Sequence, residues 1–73
     1  MNGFTAKELE SLEVAFTYEG NQRQVEVEQV KECGNGATII IGKDVNKNMA
    51  YRSFNVNKVS NLTVVGPKGW VRL

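Results

Sequence analysis

The sequence predicts a mainly β domain, a small five-stranded bent antiparallel barrel with a short N-terminal helix. Three observations predict it. Apolar and polar residues alternate with a period of two from Leu12 to Tyr18 and again around Val25 and Val27, the pattern of half-buried strands. Turn signals recur at short intervals, at Glu19-Gly20-Asn21-Gln22, Gly34-Asn35-Gly36 and Gly66-Pro67-Lys68-Gly69, which is the spacing of small all-β folds. The chain has 73 residues. A domain of that size buries only about 60% of the surface its unfolded chain exposes, so it needs an economical core, and curling one sheet onto itself supplies one.

The elements follow in order. Phe4-Thr5-Ala6-Lys7-Glu8-Leu9 reads as a capping box with a hydrophobic staple: Thr5 accepts from Glu8 N–H, Glu8 reaches back to Thr5, and Phe4 meets Leu9. A helix of about two turns is expected, ending near Ser11. On the first strand Leu12, Val14, Phe16 and Tyr18 share one face, and Glu13, Ala15 and Thr17 take the other. Past the Glu19–Gln22 turn, Val25 and Val27 alternate with Gln24, Glu26 and Glu28. The phase slips at Gln29-Val30, where a bulge or sharp bend belongs. Ile39-Ile40-Ile41 marks a central strand covered on both sides. Gly42 to Asn48 reads as a polar loop. Met49 to Val56 is a strand with Ala50, Arg52, Phe54 and Val56 on one face, and Tyr51, Ser53 and Asn55 on the other. A break at Asn57–Ser60 precedes a last strand, Leu62–Val65, and Trp70–Leu73 forms an edge strand or a docking tail. This layout is that of a partly open SH3-like or Sm-like barrel in a single domain, residues 1–73.

Composition narrows the function. The chain is 41% hydrophobic and 23% charged, with one Pro, which is the make-up of a folded domain. No apolar run approaches the length of about 18 residues that a membrane span needs, and no secretion signal is visible. There is no His and one Cys, Cys33, so a His-based triad and a multi-ligand zinc site are both excluded. The lone thiol fits a reducing cytosol, and we expect a cytoplasmic protein. One Asp and seven scattered Glu make no catalytic cluster, and neither an enzyme, a metal nor a cofactor is expected. Residues 1–32 carry a net charge of −4 and residues 33–73 one of +5, which permits a dipolar surface with a basic side.

The stretches Leu12-Glu13-Val14-Ala15-Phe16-Thr17-Tyr18-Glu19-Gly20, Glu26-Val27-Glu28-Gln29-Val30, Ile41-Gly42 and Tyr51-Arg52-Ser53-Phe54-Asn55-Val56-Asn57-Lys58-Val59 together resemble a WYL domain, over residues 9–65. Such domains have an opening hairpin, a central strand ending in glycine, and a signature close to Arg-x-Phe-Arg-Leu-Asp-Arg-Ile. Arg52 and Phe54 match its Arg-x-Phe. Asn55 and Lys58 stand at its two later Arg positions, and Ala37-Thr38-Ile39 stands where the family carries Trp-Tyr-Leu. The resemblance implies a module that senses nucleic acid or a nucleotide ligand. With residues 1–11 alone ahead of the first strand, it suggests a stand-alone accessory regulator of phage or mobile-element origin.

The candidate ligand residues are Tyr51, Arg52, Asn55 and Lys58, with Lys43 and Lys47 of the polar loop. Arg offers a planar fork for phosphate and Tyr a stacking face. An ion pair of Arg52 with a Glu, pinning two strands, is the competing reading. A protein-interaction module, docking through an exposed strand edge or Trp70, is the alternative function. Ile39, Ile40 and Ile41 cannot all face one core. Either Ile40 alone or the Ile39/Ile41 pair looks outward, so Ile40 joins Trp70 as a possible protein contact, and a homodimer is expected.

Overall fold

β1 (Leu12–Tyr18) and β2 (Asn21–Glu32) form a hairpin, closed by the two residues Glu19 and Gly20 at φ 50° and 83°. Both central residues of a tight hairpin turn of this hand need positive φ, and Gly20 meets that need without strain. Tyr18 pairs with Asn21 and Thr17 with Gln22, so the strands run closer to the turn than the sequence suggests. The structure is a computed structural model, and it describes residues 6–68. β3 (Thr38–Asp44), β4 (Ala50–Asn55) and β5 (Val59–Pro67) complete one antiparallel sheet in the order β4-β3-β2-β1-β5.

The expected phase slip is a bulge. Val27 pairs with Gly42 and Gln29 with Ile41, which leaves Glu28 extra. The added residue returns Val30 to the face of Val25 and Val27, and all three are buried. Gly42 packs directly against the backbone of β2. A Cβ there would overlap the Glu26 carbonyl oxygen and stand 2.8 Å from Val25 Cγ1.

The core joins Leu9, Val14, Phe16, Val25, Val27, Val30, Ile40 and Phe54. Phe54 of β4 meets Phe16 and Tyr18 of β1 edge-on, with ring centroids 5.1 and 5.0 Å apart. Two strands separate β1 from β4 in the sheet order, so the rings meet because the sheet curls. The curl leaves two edges, on β4 and β5.

Several expectations change. The described part of the N-terminal helix is a single 3-10 turn, Ala6–Leu9, and Phe4 and Thr5 lie outside the described residues. The turn covers the part of β2 that outruns β1. Ser11 N–H donates to Val27 O at 3.1 Å. The Glu10 carboxylate accepts from Val30 N–H at 2.7 Å, and the Lys7 ammonium donates to Val30 O at 3.2 Å. The Gly42–Asn48 loop is shorter than expected, because β3 runs to Asp44 and a 3-10 turn, Val45–Lys47, follows. The last strand extends over Gly66-Pro67. Glu13, on the face opposite Val14 and Phe16, is fully buried all the same and accepts from the Gln24 amide on β2.

Candidate functional site

Asp44 ends β3 fully buried. Its Oδ1 accepts from Asn46 N–H at 3.1 Å, which starts the 3-10 turn. Its Oδ2 lies 3.5 Å from Arg23 Nη1 of β2 and 3.7 Å from Arg52 Nε of β4. One carboxylate thus ties three strands at one end of the sheet, as a buried charge requires partners. Arg52 does pair with an acid, and the acid is Asp44 instead of a Glu. Its side chain is 45% exposed, and among the described residues its two Nη groups have no partner.

The other candidates fall in separate places. Lys43 and Tyr51 pair across β3 and β4, with Lys43 Nζ 5.7 Å from the Tyr51 ring centroid; the phenol is 63% exposed. Lys47 is exposed on the 3-10 turn after β3. At the opposite end, Asn55 caps a second 3-10 turn, Val56–Lys58, by accepting from Asn57 N–H at 2.9 Å. Lys58 donates to Glu19 at 3.1 Å, and that hydrogen bond and charge hold its pKa above the usual lysine value. Lys43 and Tyr51 therefore share one face of the β3–β4 ladder, Arg52 takes the other face with Asp44, Lys47 stands on the turn beyond β3, and Lys58 lies apart with Glu19. Arg23 is the residue that sequence reasoning missed. It carries no motif, and only the β2–β3 pairing brings it to Asp44.

Ile40 is buried in the core, so it is corrected from a candidate protein contact to a core residue. Ile39 and Ile41 take the other face, half-buried. Trp70 lies outside the described residues. Cys33 is half-buried after the end of β2.

The two edges of the sheet differ. β5 carries two register shifts against β1, Asn61 at φ 55° and Pro67, all features that blunt an edge. β4 pairs with β3 in unbroken register from Ala50 to Asn55 and has none of them. Asn55 N–H points away from β3, to Tyr18 Oη. Backbone groups alternate in direction along an antiparallel strand, so the N–H and C=O of Tyr51 and Ser53 point outward as well. Among the described residues, nothing pairs with them.

Among the described residues no group of three or more His, Cys, Asp or Glu is placed to hold a metal ion, and no helix is long and apolar enough to cross a membrane. Compared with protein-family models, curated proteins and solved structures, the chain matches none.

Proposed function

We propose that this chain is a non-enzymatic binding module that takes an extended segment of a partner protein as an added strand on β4. The observation that carries this reading is the regular edge of β4, where Tyr51 and Ser53 present backbone N–H and C=O groups without partners. An extended peptide gains affinity from those groups and specificity from alternate side chains. The strand order, the curl and the 3-10 turn between β4 and β5 support the finer proposal of a partly open SH3/Sm-like barrel, and the sequence resemblance and the lone thiol alone carry the proposals of a WYL type and of a cytoplasmic place of work. Amide exchange tests the reading. In the free protein the Tyr51 and Ser53 amides should exchange fast. They gain protection when a neutral strand-forming peptide of Thr and Val is added at millimolar concentration. Ser53→Pro removes an outward N–H and leaves the β3 ladder intact, as proline on an edge allows, and it should abolish that protection. No protection in the folded wild type would end this reading.

The second reading is a nucleic-acid or nucleotide-phosphate ligand held by Arg52, Lys43, Lys47 and Tyr51. It is favoured by the exposed Arg52 fork and the exposed Tyr51 ring. Oligonucleotide affinity that falls steeply with salt would support it. Self-association through Ile39 and Ile41 is a separate proposal, and light scattering on the wild type and on Ile41→Glu tests it.

A further inference from the structure

Building on the strand-addition reading, we infer that the segment added to β4 carries a carboxylate at the residue facing Arg52, flanked by uncharged residues. The register decides this. The backbone groups of Tyr51 and Ser53 point outward, so an added antiparallel strand hydrogen-bonds at those two positions. The guest residue between them lies opposite Arg52 in a non-hydrogen-bonded pair, where Cα atoms approach to about 4.5 Å and side chains stand closest. Opposite charges directly facing one another stabilise such a pair, and like charges oppose it.

The local charge points the same way. Arg23 and Arg52 share the single carboxylate of Asp44, which leaves one positive charge in excess. Asp44 holds Arg52 by Nε, and the Nη groups remain to form a fork for a second carboxylate. On the other face of β4, Tyr51 offers a 63% exposed ring to an apolar flanking residue. The chain's own second edge is a poorer occupant. β5 has no acidic residue from Val59 to Pro67, and its two register shifts interrupt a regular ladder.

The test uses the full chain and three peptides of sequence Val-Thr-Val-x-Val-Thr-Val with Glu, Gln or Lys at the centre, titrated by amide chemical shift. The Glu peptide should bind about five-fold tighter than the Gln peptide, and the Lys peptide weakest. Arg52→Ala should make the three equal. N-methylation of either Val beside the Glu should abolish binding, because those N–H groups face β4. N-methylation of the Glu itself should be tolerated, because its N–H points away. Equal affinities in the wild type, with the same N-methyl pattern, would overturn the charge inference and leave strand addition standing. Absence of binding by all three peptides at millimolar concentration would overturn both. Oligothymidylate bound more tightly than every peptide would assign Arg52 to a phosphate and overturn this inference. The wild-type ranking decides the matter even if Arg52→Ala fails to fold.

Discussion

The backbone N–H of Asn55 donates to the hydroxyl of Tyr18 across 3.2 Å, joining the end of β4 to the end of β1. Two strands lie between them in the sheet. The bond therefore reports the curl directly, and it sits on the ring contacts of Phe54 with Phe16 and Tyr18. It also caps the outer edge of β4 at Asn55, which confines the open backbone groups to Tyr51 and Ser53.

Tyr18→Phe keeps the rings and removes the acceptor. The loss of one such hydrogen bond should cost about 1 kcal/mol, read from urea unfolding at unchanged slope. The Asn55 amide should also exchange faster. No change in either would assign the curl to the rings alone.

Gly42→Ala tests the close approach of β2 and β3. The new Cβ would meet backbone, the Glu26 carbonyl, as well as Val25, and backbone cannot move aside as a flexible side chain can. Overpacking of this kind costs about 1–3 kcal/mol, a large fraction of the stability of a small domain. An alanine variant as stable as the wild type would contradict the close packing of Gly42 on Glu26 and Val25.

Asp44→Asn should destabilise more than Arg52→Ala. The first leaves Arg23 and Arg52 without their shared counter-charge and weakens charge-assisted contacts to two strands, a loss of about 1.5–3 kcal/mol. The second removes a half-exposed partner of a carboxylate that keeps Arg23 and Asn46, and should cost about 1 kcal/mol or less. Chemical denaturation of the two variants compares them, and the reverse order would refute the three-strand tie.

Stability should fall in acid and, separately, in strong alkali. Hydrogen bonding from Val30 N–H holds the Glu10 carboxyl below its usual value, and the Lys68 hydrogen bond does the same for Glu28. A group depressed on folding contributes stability above its ordinary pKa and loses it as pH falls through the folded value. Hydrogen bonding to Glu28 raises Lys68, so its contribution is full below the ordinary lysine value and fades as pH rises through the raised one. Urea midpoints from pH 7 to pH 3 should therefore drop less steeply for Glu10→Gln than for the wild type. Parallel curves would remove Glu10 from the account.

Much of the fold was legible in the residues. Period-two alternation sorted Leu12, Val14, Phe16 and Tyr18 onto the core side, because a strand's side chains must alternate. The misplaced phase of Val30 announced the bulge, since one extra residue is what returns an apolar side chain to its face. Glycine at position 20 marked the hairpin through its tolerance of positive φ.

Tertiary structure decided the rest. Local pattern places Ile40 between two identical neighbours, and only the curl chooses it for the core over Ile39 and Ile41. A single Asp on a polar stretch reads as a loop residue until β2 and β4 bring Arg23 and Arg52 to it from 21 residues before and 8 residues after. Glu13 takes the face opposite Val14 and Phe16, yet it is buried against Gln24. The open edge of β4 is a property of strand order, which depends on contacts between residues far apart in the chain. Alternation along one strand reports which face is apolar. It carries no information about which strand lies beside it, or whether any strand does.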